Sequence, residues 1–400
     1  MKRFSGIALS VAACSLATQA AVAQTKLDTT KVQNLNEVVV KAVRASKDAP
    51  YAVANLKKAE LQQFSRTGLE LPFLLSRTPG ILAWGENGIG TGTSYMRIRG
   101  AAGSRINVTL DGVALNSPED QTVFWANMNS YAALLGSVQV QRGVGSSTNG
   151  DGAFGGSISM AMAAPSLQPT AEVTGSFGSY NTYNTGVSFS TGLLGKHLIF
   201  DGAYHETATD GYVDGTAGRS GSYYGGLTWL GDNFKVSYKN IGNFEKTGQA
   251  WNGVLGGDYN SNFTLLQDGI RTYKDMYKAG LDKFNVLTGD MVRNGKGDYT
   301  ITPYTLRDGS KWDKTTDNFY QNHNILSATW TPGSHWSHSL SLHYTYGYGY
   351  YKEFKNNAKF AKFGLVYYDA DGNFIKKSDF IRKKGLTQHT YGMVYNTNYK

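Results

Sequence analysis

The sequence predicts an all-β transmembrane barrel, truncated at about 8 of roughly 22 antiparallel strands, with an N-terminal α+β plug domain. Three observations carry this. The 400 residues include 48 Gly, 26 Tyr and 18 Phe but only 8 Pro, and just 17% are charged; this is the profile of strands and turns with aromatic rims, not of helices. From Thr170 onward, long alternating runs are joined by connections that are short and long in turn. Between Arg77 and Met160, short apolar runs are packed among Gly-rich turns.

Residues 1–23 read as a signal peptide: Met1-Lys2-Arg3 is basic, an Ala-rich run follows, and Ala21-Val22-Ala23 ends in a small-x-small pattern. Val11-Ala12-Ala13-Cys14 also has the form of a lipidation box. Cys14 is the sole cysteine, so the exported chain has no disulfide and no Cys-based metal site. The net charge of +9 suits either solubility or attraction to anions.

Residues 24–45 form an N-terminal segment. Within it, Leu35-Asn36-Glu37-Val38-Val39-Val40 favours extended backbone. It is either a first strand or a segment that adds to a partner's sheet edge.

Residues 46–165 form the plug. Val53–Phe64 is expected to be helical, with Leu69–Ser76 a second apolar piece and Arg77-Thr78-Pro79-Gly80-Ile81 a turn. Strands are expected at Tyr95–Ile98, Asn107–Leu110, Ser137–Val140 and Ser157–Met160. Side chains alternate along a strand, so Arg97 and Arg99 share one face and Ile98 the other. Asp111-Gly112 reads as a turn. The stretches from Trp84 to Tyr95 and from Ala114 to Asn129 are irregular, polar and aromatic; Trp84, Tyr95, Asn116 and Trp125 suit ligand contact or packing alike. The Gly-rich run Ser146–Gly156 lacks the phosphate-cradling pattern, which argues against nucleotide binding.

Residues 170–400 form the incomplete barrel. Strands are expected at Ala171–Ser179, Thr182–Thr191, His197–Glu206, Ser222–Leu230, Asn233–Asn243, Gln321–Thr331, Trp336–Tyr351 and Leu386–Tyr399. Glu245–Tyr320 and Lys352–Gly385 are expected as long loops. Along Ser339–Tyr350, Leu340, Leu342, Tyr344, Tyr346, Tyr348 and Tyr350 face lipid, while Ser339, Ser341, His343, Thr345, Gly347 and Gly349 face the lumen. His335, His338 and His343 do not share a strand face at ligand spacing, and no nucleophilic triad is legible, so neither a metal site nor an enzyme is expected.

Four motifs resemble those of the TonB-dependent outer-membrane receptors, notably the Bacteroidetes type. They are Glu37-Val38-Val39-Val40, which looks like a TonB box; Thr78-Pro79-Gly80-Ile81; Arg97-Ile98-Arg99-Gly100; and Leu110-Asp111-Gly112-Val113. The resemblance implies TonB binding through Leu35, Glu37, Val38, Val39 and Val40. It implies a plug–barrel latch in which Arg97, Arg99 and Arg142 face barrel glutamates, and ligand contact from Trp84, Tyr95, Asn116 and Trp125 at the outer end of the plug. Family members often carry Glu where Gln139 stands, which puts one internal ion pair in doubt. The implied activity is TonB-dependent import of a scarce ligand, first an iron–siderophore complex, next cobalamin or haem. A passive porin or surface adhesin with an internal domain is the alternative. The implied partners are TonB with its inner-membrane energising complex, a small-molecule ligand such as a metal chelate, and outer-membrane lipid, with no cofactor and no nucleic acid.

Overall fold

The computed structural model describes residues 44–45, 50, 52–144, 153–254 and 268–399. Residues 1–23, Cys14 included, and Leu35–Val40 lie outside the described residues, so the expected signal peptide and the expected TonB-binding stretch are not placed.

The plug opens differently from the helix expected at Val53–Phe64. Strand β1 (Ala52–Lys57) precedes helix α1 (Lys58–Ser65). The correction has a local and a tertiary cause. Glu60 accepts a hydrogen bond from the Lys57 backbone N–H at 2.9 Å, which fixes the helix start there. Upstream, the backbone pairs antiparallel with strand β6 (Leu135–Arg142), Ala52 opposite Arg142 through Lys57 opposite Ser137. Helix α2 (Leu71–Leu75) follows and buries Leu71, Leu74 and Leu75.

Strands β2 (Ile81–Gly85) and β3 (Ser94–Ile98) form a hairpin. Strand β3 ends at Ile98, and Arg99 lies beyond it with φ of 50°. Arg97 and Arg99 are therefore exposed without sharing a strand face, while Ile98 is fully buried.

Strands β4 (Ile106–Leu110), β5 (Val113–Ala114), β6 (Leu135–Arg142) and β7 (Gly156–Met162) join β1 in one sheet, ordered β1-β6-β7-β4-β5, with β4 and β7 parallel. Helix α3 (Tyr131–Leu134) leads into β6. Alternation sorts this sheet into two faces. Val138, Val140, Ile158 and Met160 build the core with α1 and α2; Ser137, Gln139, Ser157 and Ser159 form the polar face.

Gly155 makes the entry to β7 possible. Its N–H donates to Arg105 O at 2.7 Å, and a Cβ there would sit 2.4 Å from Ala101 Cβ. Backbone-tethered atoms cannot yield, so Gly155→Ala is expected to destabilise the plug by about 2 kcal/mol. Chemical denaturation followed by Trp fluorescence checks this; an unchanged midpoint refutes it.

The barrel part is an eight-stranded antiparallel sheet in sequence order. Its strands are β8 (Pro169–Phe177), β9 (Tyr183–Thr191), β10 (Leu198–Thr209), β11 (Gly218–Leu230), β12 (Phe234–Gly248), β15 (Thr316–Trp330), β16 (Trp336–Lys359) and β17 (Lys377–Tyr399). The short connections 192–197, 231–233 and 331–335 lie at one end, and the long ones, 249–315 and 360–376, at the other. The β8–β9 turn at the long-loop end is tight, with Tyr180 and Asn181 both at positive φ (58° and 52°), the geometry that matches strand twist.

The two expected loops are shorter than expected, because the strands run past the membrane. A spanning strand needs about 9–11 residues, whereas β16 has 24 and β17 has 23. Half of Lys352–Gly385 is thus strand. It is held by cross-strand pairs that sequence alternation does not flag: Arg382 binds Glu353, and Lys383 Nζ lies 3.8 Å from the Tyr350 ring centre. Connection 249–315 contains a hairpin of β13 (Gly289–Arg293) and β14 (Tyr299–Pro303), and helix α4 (Tyr273–Lys278). Met276, Leu281 and Phe284 give this loop its own small core.

Candidate functional site

The interface between plug and barrel wall is the region where the chain concentrates unusual chemistry. Lumen-facing positions of β12 alternate with lipid-facing ones. Lys239, Ile241, Asn243 and Glu245 point inward, and Tyr238, Asn240 and Phe244 outward. Two wall residues, Ile241 and Ile325, belong to the plug's own apolar core. Around them run polar links. Asn243 Nδ2 donates to Tyr131 Oη at 2.9 Å, and Asn129 Nδ2 donates to Ser220 Oγ at 2.7 Å.

The strongest link is an ion pair. Lys239 Nζ lies 2.5 Å from Asp111 Oδ2, with only 18% and 11% of the two side chains exposed. Asp111 sits at the Asp-Gly turn after β4 with φ of 49°. Its second oxygen, Oδ1, accepts from the Met162 N–H at 3.0 Å. One carboxylate therefore ties the β4 turn, the end of β7 and the barrel wall together. A buried pair of this kind is held by its hydrogen bonds as much as by Coulomb attraction.

The β2–β3 hairpin reaches the long-loop end. The Tyr212 N–H donates to Asn87 O at 2.9 Å, and Thr93 Oγ1 donates to Gln249 Oε1 at 2.6 Å. Beneath it lies Glu70, fully buried, which accepts from the Ser94 hydroxyl. Burial pushes the Glu70 carboxyl up to about 8. Burial also raises Glu86, whose Oε1 accepts from Tyr95 Oη at 2.6 Å.

A second clasp joins the N-terminal segment to the plug's polar face. Arg44 Nη1 donates to Ser137 Oγ at 2.9 Å, and Nη2 donates to Ser159 O at 2.9 Å. Gln139 binds the Ala45 backbone twice: Oε1 accepts from Ala45 N at 2.8 Å, and Nε2 donates to Ala45 O at 3.2 Å. A glutamate could not make the second bond. The departure from Glu at position 139 thus supplies a clamp where an ion pair was in doubt.

The sequence-derived residues fall into three groups. Trp84 and Tyr95 come together, directly opposite in the hairpin with rings 5.5 Å apart and about two-fifths exposed; Arg97 lies over the Trp84 ring. Asn116 and Trp125 are occupied structurally. Asn116 Oδ1 accepts from Val108 N at 2.8 Å and its Nδ2 donates to Ile106 O at 2.9 Å, while Trp125 is 5% exposed in the plug core. Of the three arginines expected as latches, Arg142 Nη1 donates within the plug to Pro79 O at 2.7 Å, and Arg97 and Arg99 are exposed. Asp111 and Lys239, the ion pair that joins plug to wall, are not among the expected site residues; the sequence marks Asp111 only as a turn residue and Lys239 only as part of the expected strand Asn233–Asn243. Among the described residues, no cluster of His, Cys, Asp and Glu has metal-binding geometry.

Residues 45–157 match the family model of the TonB-dependent Receptor Plug Domain. No curated protein matches the chain. Among solved structures, the chain is similar to the ferric yersiniabactin uptake receptor FyuA from Yersinia pestis, at 13% identity and a TM-score of 0.53, covering 89% of this chain and 52% of that one. It is similar to the open form of the ferric-catecholate import receptor Fiu from E. coli K12, at 12% identity and a TM-score of 0.59, covering 89% and 47%. A third is BauA, the ferric preacinetobactin receptor from Acinetobacter baumannii, at 14% identity and a TM-score of 0.51, covering 78% and 40%. The chain spans about half the length of the solved structures it matches.

Proposed function

From a chain that carries the plug domain and the barrel fold of TonB-dependent receptors, we infer energy-coupled import of a scarce ligand across the outer membrane. An iron–siderophore complex is the first choice of ligand, with cobalamin or haem next. The observation that carries this reading is the pair of clasps on the plug's central sheet. The Arg44–Gln139 clasp fastens the N-terminal segment to β6 and β7, and Asp111–Lys239 fastens the plug to the wall. Force applied by TonB at Leu35 and Glu37–Val40 enters the plug four residues later, at Arg44. Pulling there loads β6 and β7 while the Asp111 turn stays anchored, so the plug distorts before it leaves the barrel. Arg97, Arg99 and Arg142 remain candidate secondary latches, and Trp84 with Tyr95 a candidate outer contact for ligand.

Deleting Leu35–Val40 tests the mechanism. Uptake of radiolabelled ferric chelates by cells is expected to fall to background while surface binding persists. A passive porin is indifferent to the deletion, so unchanged uptake refutes the import reading.

A further inference from the structure

The outward-facing side of the plug leaves a cavity of about 370 Å³ between loop 115–128 and the inner wall of β12, β15, β16 and β17. Its charge runs against the basic character of the whole chain. Glu119, Asp120, Glu245 and Asp317 line it, with Lys384 as the one lysine. Acidity alone makes no site. The independent observation is that three of its lining side chains, each at least nine-tenths buried, present atoms with no hydrogen-bond partner: Glu245 Oε2, Asn127 Oδ1 and His323 Nε2.

Asn127 Oδ1 only accepts, Glu245 Oε2 accepts when its carboxyl is ionised, and His323 Nε2 accepts when His323 Nδ1 donates to Thr345 Oγ1, 2.8 Å away. Glu245 and Asp317 make no ion pair among the described residues. Buried acceptors without donors are costly unless a ligand supplies the donors. Phe124 and Phe319 add apolar walls. We propose that this cavity takes a cationic, hydrogen-bond-donating group, an ammonium or guanidinium, of the imported ligand. The assignment rests on the import reading and names the chemical class of that ligand; it disfavours a chelate that carries only negative charge.

Titration of the full receptor in detergent, using spermidine as cationic probe and citrate as anionic probe, tests the assignment by calorimetry. Spermidine is expected to bind at least about tenfold tighter than citrate. Glu245→Gln and Asp317→Asn keep side-chain shape and are each expected to weaken spermidine about tenfold, the loss of one charge-assisted contact. Lys384→Gln is expected to strengthen it about threefold by removing a like charge. Should Glu245→Gln fail to fold, Glu119→Gln on the exposed plug loop carries the test, with about threefold weakening expected. Tighter binding of citrate, or spermidine affinity unmoved by the acidic substitutions, overturns the proposal. The Leu35–Val40 deletion is titrated alongside. It is expected to leave spermidine binding unchanged, so a failure of cavity chemistry is read from the titrations and a failure of import from the uptake assay.

Discussion

Replacing Asp111 by alanine is expected to weaken docking of the plug by about 3 kcal/mol. The size follows from what is left behind. Lys239 keeps its charge on a wall position where only 18% of the side chain reaches solvent, and the Met162 N–H loses its acceptor. An uncompensated ammonium costs more than the pair contributes, so the double variant Asp111→Asn with Lys239→Met is expected to cost less than Asp111→Ala alone. The readout is the urea concentration at which protease begins to cut the plug of the detergent-solubilised receptor. Equal thresholds for Asp111→Ala and the parent chain would sink the idea that this pair anchors the plug.

That anchor also marks where sequence reading stopped. The Asp-Gly pair signalled a turn because Asp and Gly tolerate left-handed backbone, and Asp111 and Gly112 do adopt it, at φ of 49° and 82°. Nothing local indicated that the carboxylate would cross to a strand 128 residues away. The barrel was legible wherever one face meets lipid: Leu340 and Leu342 alternate with Ser339 and Ser341 because the membrane enforces period two. It became illegible above the membrane, where both faces of β16 and β17 meet water and the strands are held by pairs such as Arg382 with Glu353. Val53–Phe64 misled for a different reason. Its helical period is real from Lys58 onward, but the open edge of β6 recruits the residues before it. Long-range pairing overrides propensity where a sheet edge is available. Gln139 shows the same limit at one residue: as a letter it marks a lost charge, and in place its amide grips a backbone.

Glu70 gives the plug an expected pH dependence, with stability falling as pH rises. Its carboxyl is fully buried, Oε1 has no partner, and the proton is held up to about pH 8 against an ordinary value of 4.5. Below 4.5 both the folded plug and the unfolded chain hold the proton, and Glu70 contributes nothing to the difference. Between 4.5 and about 8 the unfolded chain releases its proton while the plug does not. Stability then drops by up to ~1.4 kcal/mol per pH unit, and the loss is complete above the folded value. Glu70→Gln retains an acceptor for the Ser94 hydroxyl and cannot ionise, so it is expected to remove most of that slope and to be the more stable form at high pH, by up to about 5 kcal/mol. Urea unfolding of the plug at about pH 5 and about pH 8.5 measures the effect. A slope that survives unchanged in the glutamine variant would show that another group carries it. The location matters for function as well as for stability. Glu70 lies directly under the β2–β3 hairpin that touches connections 210–217 and 249–315, so proton release loosens the plug at its outer end, whereas Asp111 and Arg44 hold its central sheet.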